Sequence, residues 1–135
     1  MAAIALQSGQ TQLAVVETLA QADYIAGGAI SAGDPVKLNT NGHVVVAAET
    51  DSVEMTLVGI ALKSVTSGLP VTVIRQGVVD NLNLTGAYGA PVYVGATSGL
   101  ATTAATTGAA VGQVIPMNNN LLGTVPQKVL WINIR

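Results

Sequence analysis

Three observations in this 135-residue sequence predict an all-β fold: a compact antiparallel β-barrel or β-sandwich with an extended N-terminal arm. The first is the kind of apolar residue. Half the chain is hydrophobic, yet Phe is absent, Trp occurs once and Tyr three times, so Val, Ile, Leu and Ala must build a core suited to a pleated surface. The second is a set of short runs that alternate with period two between turn residues. The third is the pattern Gly-x-Pro-Val, which occurs at Gly33 to Val36, Gly68 to Val71 and Gly89 to Val92. Glycine permits a turn there, the residue before proline is driven toward extended geometry, and proline, lacking an N–H, is tolerated at the first position of a strand.

Two of these marks belong to a longer echo. From Pro35 the chain passes through a polar turn ending in Gly42 to Val58-Gly59-Ile60-Ala61-Leu62; from Pro91 it passes through a turn ending in Gly99 to Val111-Gly112-Gln113-Val114-Ile115. Two related strand-turn-strand units are expected within a single β domain spanning 13–135, preceded by the arm at 1–12. A solenoid would need three or more repeats.

In chain order, Met1 to Gln12 is small and polar, as an arm should be. Leu13 to Leu19 fits a short helix by propensity and a strand by its β-branched residues; the strand is preferred. Ala22 to Ile30 carries Tyr24 and Ile25 into a turn or bulge at Gly27-Gly28. Pro35 to Ala48 is a hairpin whose Asn41-Gly42 pair suits a tight turn, with His43 to Val46 returning. Glu49 to Glu54 is an acidic surface loop. In Leu57 to Lys63 the alternation puts Val58, Ile60 and Leu62 on one buried face. Ser64 to Gly68 reverses the chain into Val71 to Arg75, Gly77 breaks that run, and Val78 to Leu84 follows, with Asp80 near the apolar side or at a strand end. Leu100 to Ala110 has no assignable period and reads as a loop with a short strand. Val111 to Met117 resumes β character, Asn118 to Asn120 turns, and Val129 to Arg135 closes the chain with Leu130, Ile132 and Ile134 on one face and Val129, Trp131 and Asn133 on the other.

Charged residues make up 9% of the chain, against about 25% in an ordinary soluble domain. So neutral a surface suggests that copies of the chain or a partner cover much of it; the plainer alternative is a solitary protein with a Thr/Ser/Asn/Gln surface. With no cysteine, disulfides, thiolate metal sites and a cysteine nucleophile are excluded. Five basic residues and a net charge of −2 cannot form the cationic stripe that nucleic acid requires. No apolar run approaches the ~20 residues of a membrane-spanning helix, and the first residues lack a signal-peptide pattern.

Reactive groups are sparse. His43 is the sole histidine and follows a hairpin turn, where a polar residue is expected on structural grounds. Glu17, Asp23, Asp34, Glu49, Asp51, Glu54 and Asp80 fall in no calcium-loop pattern, and Gly27-Gly28 and Gly86 to Gly89 fall in no phosphate-binding one. No catalytic, cofactor-binding or metal-binding residue is assigned, and no cofactor is expected. Trp131 reads either as an interface anchor or as a half-buried core residue. Arg75 reads as an interface partner or a local cap.

The order of the motifs Ala32-Gly33-Asp34-Pro35-Val36, Val58-Gly59-Ile60-Ala61, Gly68 to Val73 with Gly77-Val78-Val79, and Val92-Tyr93-Val94 resembles the capsid cement, or head decoration, proteins of tailed bacteriophages. That resemblance implies a non-enzymatic, often trimeric β-module. It would be made in the host cytoplasm, bind the major capsid protein on the outer surface of the assembled head, and reinforce contacts between capsomers. The N-terminal arm and the face bearing Trp131 are the expected contact regions. The alternative is a carbohydrate- or small-ligand-binding β-module of adhesin type, for which four aromatic residues are few.

Overall fold

The computed structural model describes residues 4–47, 57–95, 99–101, 110–117 and 127–134. Among these residues there is no helix, and nine strands form one antiparallel sheet that curls into a barrel-like body. The strands are β1 (Ala14–Ile25), β2 (Pro35–Leu38), β3 (Val44–Val46), β4 (Leu57–Ala61), β5 (Pro70–Asp80), β6 (Pro91–Val94), β7 (Leu100–Ala101), β8 (Ala110–Pro116) and β9 (Lys128–Asn133). Their order is β3-β2-β4-β5-β9-β8-β6-β7, with β1 lying along β5. The all-β expectation holds. The acidic loop at 49–54, most of the Ala/Thr tract and the turn at Asn118 to Asn120 lie outside the described residues.

Each Gly-x-Pro-Val builds the same corner. Gly33, Gly68 and Gly89 have φ of +89°, +90° and +87°. The N–H that follows each glycine donates back to a carbonyl three residues earlier: Asp34 to Ser31, Leu69 to Thr66 and Ala90 to Ala87. Positive φ at the third position of such a turn is the type II arrangement, which favours glycine there. Each proline is then the first residue of its strand, β2, β5 or β6.

The echo in the sequence corresponds to a repeated backbone unit. In the first unit Pro35, Val36 and Lys37 pair with Ile60, Gly59 and Leu57, skipping Val58; in the second, Pro91, Val92 and Tyr93 pair with Gln113, Gly112 and Ala110, skipping Val111. Lys37 and Leu38 face Val45 and Val44 as Tyr93 and Val94 face Ala101 and Leu100. Ile60 and Ala61 face Ile74 and Val73 as Gln113 and Val114 face Trp131 and Leu130. The corner glycines are tied alike: Gly33 N–H donates to the Ala61 carbonyl while Ala61 N–H donates to Asp34, and Gly89 and Ala90 do the same with Val114. The strands β2, β3, β4 and β5 thus match β6, β7, β8 and β9.

The bulge opposite Val36 corrects the expectation for β4. Gly59 has φ of +155°, and the backbone shift there splits the alternation that a regular strand would keep. Leu57 and Ile60 join one core cluster, Val58 and Ala61 another, so all five residues of β4 are buried and the strand is apolar on both faces. The smaller cluster (Val36, Val44, Val58, Ala61, Val71, Val73 with Ala26 and Ile30) fills the inside of the first unit. The larger one packs the outer face of the first unit, Leu57, Ile60 and Ile74, onto the inner face of the second, Val92, Val94, Leu100, Val111, Val114, Leu130 and Ile132.

Three further expectations change. Gly77 does not break its run: β5 continues to Asp80, and Gly77 lets β1 approach, since a Cβ there would overlap the Glu17 carbonyl. The strand before Gly27 is one twelve-residue element rather than two short ones. The segment expected as an arm lies extended but docked. Ile4 N–H donates to the Leu100 carbonyl (2.7 Å), Gln7 N–H to Asn81 (2.7 Å) and Asn83 N–H to Ala5 (2.9 Å), while Ile4 and Leu6 pack against the larger cluster. From Ile4 onward it is part of the body.

Candidate interaction surface

The residues singled out for chemistry take structural places. Asn39 Oδ1 accepts from the N–H groups of Asn41 (2.9 Å) and His43 (3.0 Å), so His43 closes the hairpin turn. Arg75 Nε donates to the Ile134 carbonyl (3.1 Å), a local cap on the end of β9. Asp80 marks the end of its strand and accepts from Gln127 Nε2 at 2.8 and 2.7 Å. Lys128 Nζ lies 5.5 Å from the centre of the Tyr88 ring, within cation–π range. Among the described residues, no three His, Asp or Glu side chains gather in a way that would hold a metal.

Asp34 is the one buried charged residue in the described core. It sits in the corner before β2, and its Oδ2 accepts from the Ser31 N–H (2.9 Å). Burial pushes its carboxyl above the ordinary range, and hydrogen bonds from the backbone of Ser31 and of Gly99 oppose that shift. Gly99 belongs to the β6–β7 turn, so one carboxylate ties the first corner of one unit to a hairpin turn of the other.

Trp131 is half-buried on β9, directly between Val78 of β5 and Gln113 of β8. Cross-strand partners share a face, so Pro91, Gln113, Trp131 and Val78 form one row across the outside of the second unit. Leu130, Ile132 and Ile134 turn to the core as the alternation of the last strand predicts.

The largest apolar exposure is elsewhere. Ten of the twelve positions of β1 are exposed, including Val15, Val16, Leu19 and Ile25. Leu69, whose carbonyl accepts from the Ala26 N–H just past the strand end, adds a fifth at 52% exposure. From Ala14 to Tyr24 the strand pairs with β5 alone among the described residues, leaving its far edge open, while at its end the bridge between Ala26 and Val44 brings β3 alongside. Val16 and Leu19 are the extra residues at two bulges: Val15 and Glu17 face consecutive β5 residues, as do Thr18 and Ala20. The bulges explain why both side chains stand out from the sheet. From Gln21 to Ile25 the pairing with Ile74 to Pro70 is regular.

Which backbone groups of that regular run face outward follows from the neighbours. The Thr72 carbonyl accepts from Leu62 N–H on the β4 side (3.1 Å), so Thr72 directs its backbone away from β1. In an antiparallel ladder the residue opposite then also points away. Asp23, opposite Thr72, therefore presents its N–H and C=O to the open edge, and so by alternation does Gln21; at Ile25 the edge is closed, because the parallel bridge between Ala26 and Val44 brings β3 alongside. No family model matches this chain, and no curated protein matches it.

Proposed function

We propose that the chain is a structural protein that decorates the outer surface of an assembled phage head. In this reading it acts as a homotrimer, binds the major capsid protein and reinforces contacts between neighbouring capsomers. The observation that carries the reading is the open apolar strand β1 on a molecule with 9% charged residues: such a surface gains free energy when another protein covers it. The order of motifs that resembles head decoration proteins supports the same conclusion. Each copy needs to supply a modest contact, because a ligand that binds the assembled lattice and not its loose subunits stabilises the lattice by mass action.

The test mixes purified protein with undecorated heads and images the product, with analytical ultracentrifugation of the free protein in parallel. Ordered density on the outer surface and a rise in the temperature at which heads rupture are expected, with a trimer in solution. Bare heads at saturating protein would overturn the reading. Deleting residues 1–12 is a poor probe of binding, because residues 4–13 are stitched into the body.

A further inference from the structure

We propose that the open edge of β1 accepts an extended segment of another polypeptide, one that alternates apolar and basic residues, as an added strand. The inference rests on the shell-binding reading for the identity of that polypeptide, and on the geometry of β1 for everything else. Three features define the occupant.

Outward N–H and C=O groups at Gln21 and Asp23 form a short regular ladder edge, bounded by the bulges on one side and by the bridge to β3 at Ala26 on the other, and an extended backbone is the ligand that satisfies such groups in series. Beyond the regular run, Val16 and Leu19 stand out at the bulges with 49% and 59% exposure, as side-chain anchors for apolar residues of the incoming strand. The bulges also stop a ladder from running the whole length of β1, which confines the addition to one place.

Charge selects the partner. β1 carries Glu17 and Asp23, both exposed, and no lysine or arginine. A second copy adding its own β1 would bring two more carboxylates to the ladder and no cation. Like charges across a ladder are unfavourable and opposite charges favourable, so a basic strand fits where a second β1 does not.

The full-length protein is tested by hydrogen exchange at the amides of Gln21 and Asp23. The probes are the peptides acetyl-Lys-Val-Lys-Val-Lys-Val-amide and acetyl-Glu-Val-Glu-Val-Glu-Val-amide. Fast exchange in the free protein and at least tenfold slowing with the basic peptide, but not with the acidic one, is the expected result. Equal slowing by both peptides, or by neither, overturns the proposal. So does protection that grows with protein concentration alone, which would give the edge to a second copy.

Gln21→Pro removes an outward donor while leaving the inward ladder intact, and should abolish the slowing at Asp23. Asp23→Lys, which keeps the backbone, should weaken the basic peptide at least tenfold and admit the acidic one; it carries the test should the proline variant not fold. Undecorated heads separate the two readings. Heads that bind wild type and Gln21→Pro equally overturn the edge and leave the shell-binding reading standing. Heads that bind neither, with peptide binding intact, overturn shell binding and leave the edge.

Discussion

Ile60 and Gln113 occupy the same place in the two units, and so do Ile74 and Trp131, yet the first of each pair is fully buried and the second is not. The backbone unit is the same, down to the residue skipped at its bulge and the carbonyl that receives the corner glycine. What differs is the neighbour. The outer face of the first unit lies on the inner face of the second and must be apolar. The outer face of the second unit meets no strand layer among the described residues, and glutamine, proline and a half-buried tryptophan are tolerated there. The comparison teaches that pairing register specifies the unit, while the composition of each face records what covers it.

The strongest way to break this equivalence is at the two glycines opposite the corner valines. A Cβ on Gly59 would overlap the Ile74 carbonyl, and one on Gly112 would overlap the carbonyl of Trp131, which stands where Ile74 stands. Gly59→Ala and Gly112→Ala should each cost about 3 kcal/mol or more by chemical denaturation, Gly59 the more because its φ of +155° also strains any other residue. A tolerated Gly112→Ala would mean that the units are not built alike.

The difference between faces is sharpened by truncating matched residues. Ile60→Ala should destabilise by about 2–5 kcal/mol, whereas Gln113→Ala should stay within about 0.5 kcal/mol. Equal effects would show that the second outer face is covered in solution. Next in size is removal of residues 1–12, which tie to the second unit at Leu100, to the chain just past the end of β5 at Asn81 and Asn83, and to the first unit through the bridge between Gln12 and Lys63. Losing those ties and the packing of Ile4 and Leu6 should cost about 2 kcal/mol and lower the urea midpoint.

The smallest effect is that of pH on Asp34. A carboxyl raised by burial keeps its proton to higher pH in the folded state than in the unfolded chain. Its contribution is therefore most favourable in acid and declines as pH rises through the folded value. Across a series of urea midpoints, wild type should lose ground to Asp34→Asn on going from acid to neutral pH. A difference independent of pH would show that the carboxyl is as well solvated folded as unfolded.

Much of this architecture was legible in the residues, and the failures have local causes. Gly-x-Pro-Val announced three strand starts because glycine and proline restrict the backbone by themselves, whatever surrounds them. Asn39 to Gly42 announced its hairpin for the same reason. The face of β4 was misread because period two assumes an unbroken pleat, and the bulge at Gly59 breaks it. The length of β1 was hidden by the same device used twice: bulges at Val16 and Leu19 scramble the alternation over the residues where a strand would have been recognised. The kinship of β5 with β9 was invisible because Val71 and Ile74 face core where Lys128 and Trp131 meet solvent. Of the candidate surface, Trp131 could be flagged from its residue type. The open edge of β1 could not, since which strand lies outermost is a property of topology.

That topology sets an order of events for a chain emerging from a ribosome. The strand Lys128–Asn133 is made after the other eight described strands, yet it lies in the middle of the sheet, bridging Gln76–Val79 on one side and Gly112–Pro116 on the other. Until it arrives, two half-sheets expose raw edges along the seam where they will meet, the condition in which β-proteins pair wrongly with their neighbours. Closing that seam therefore waits on the last-made of the nine described strands and depends on non-local pairings, the kind that form slowly.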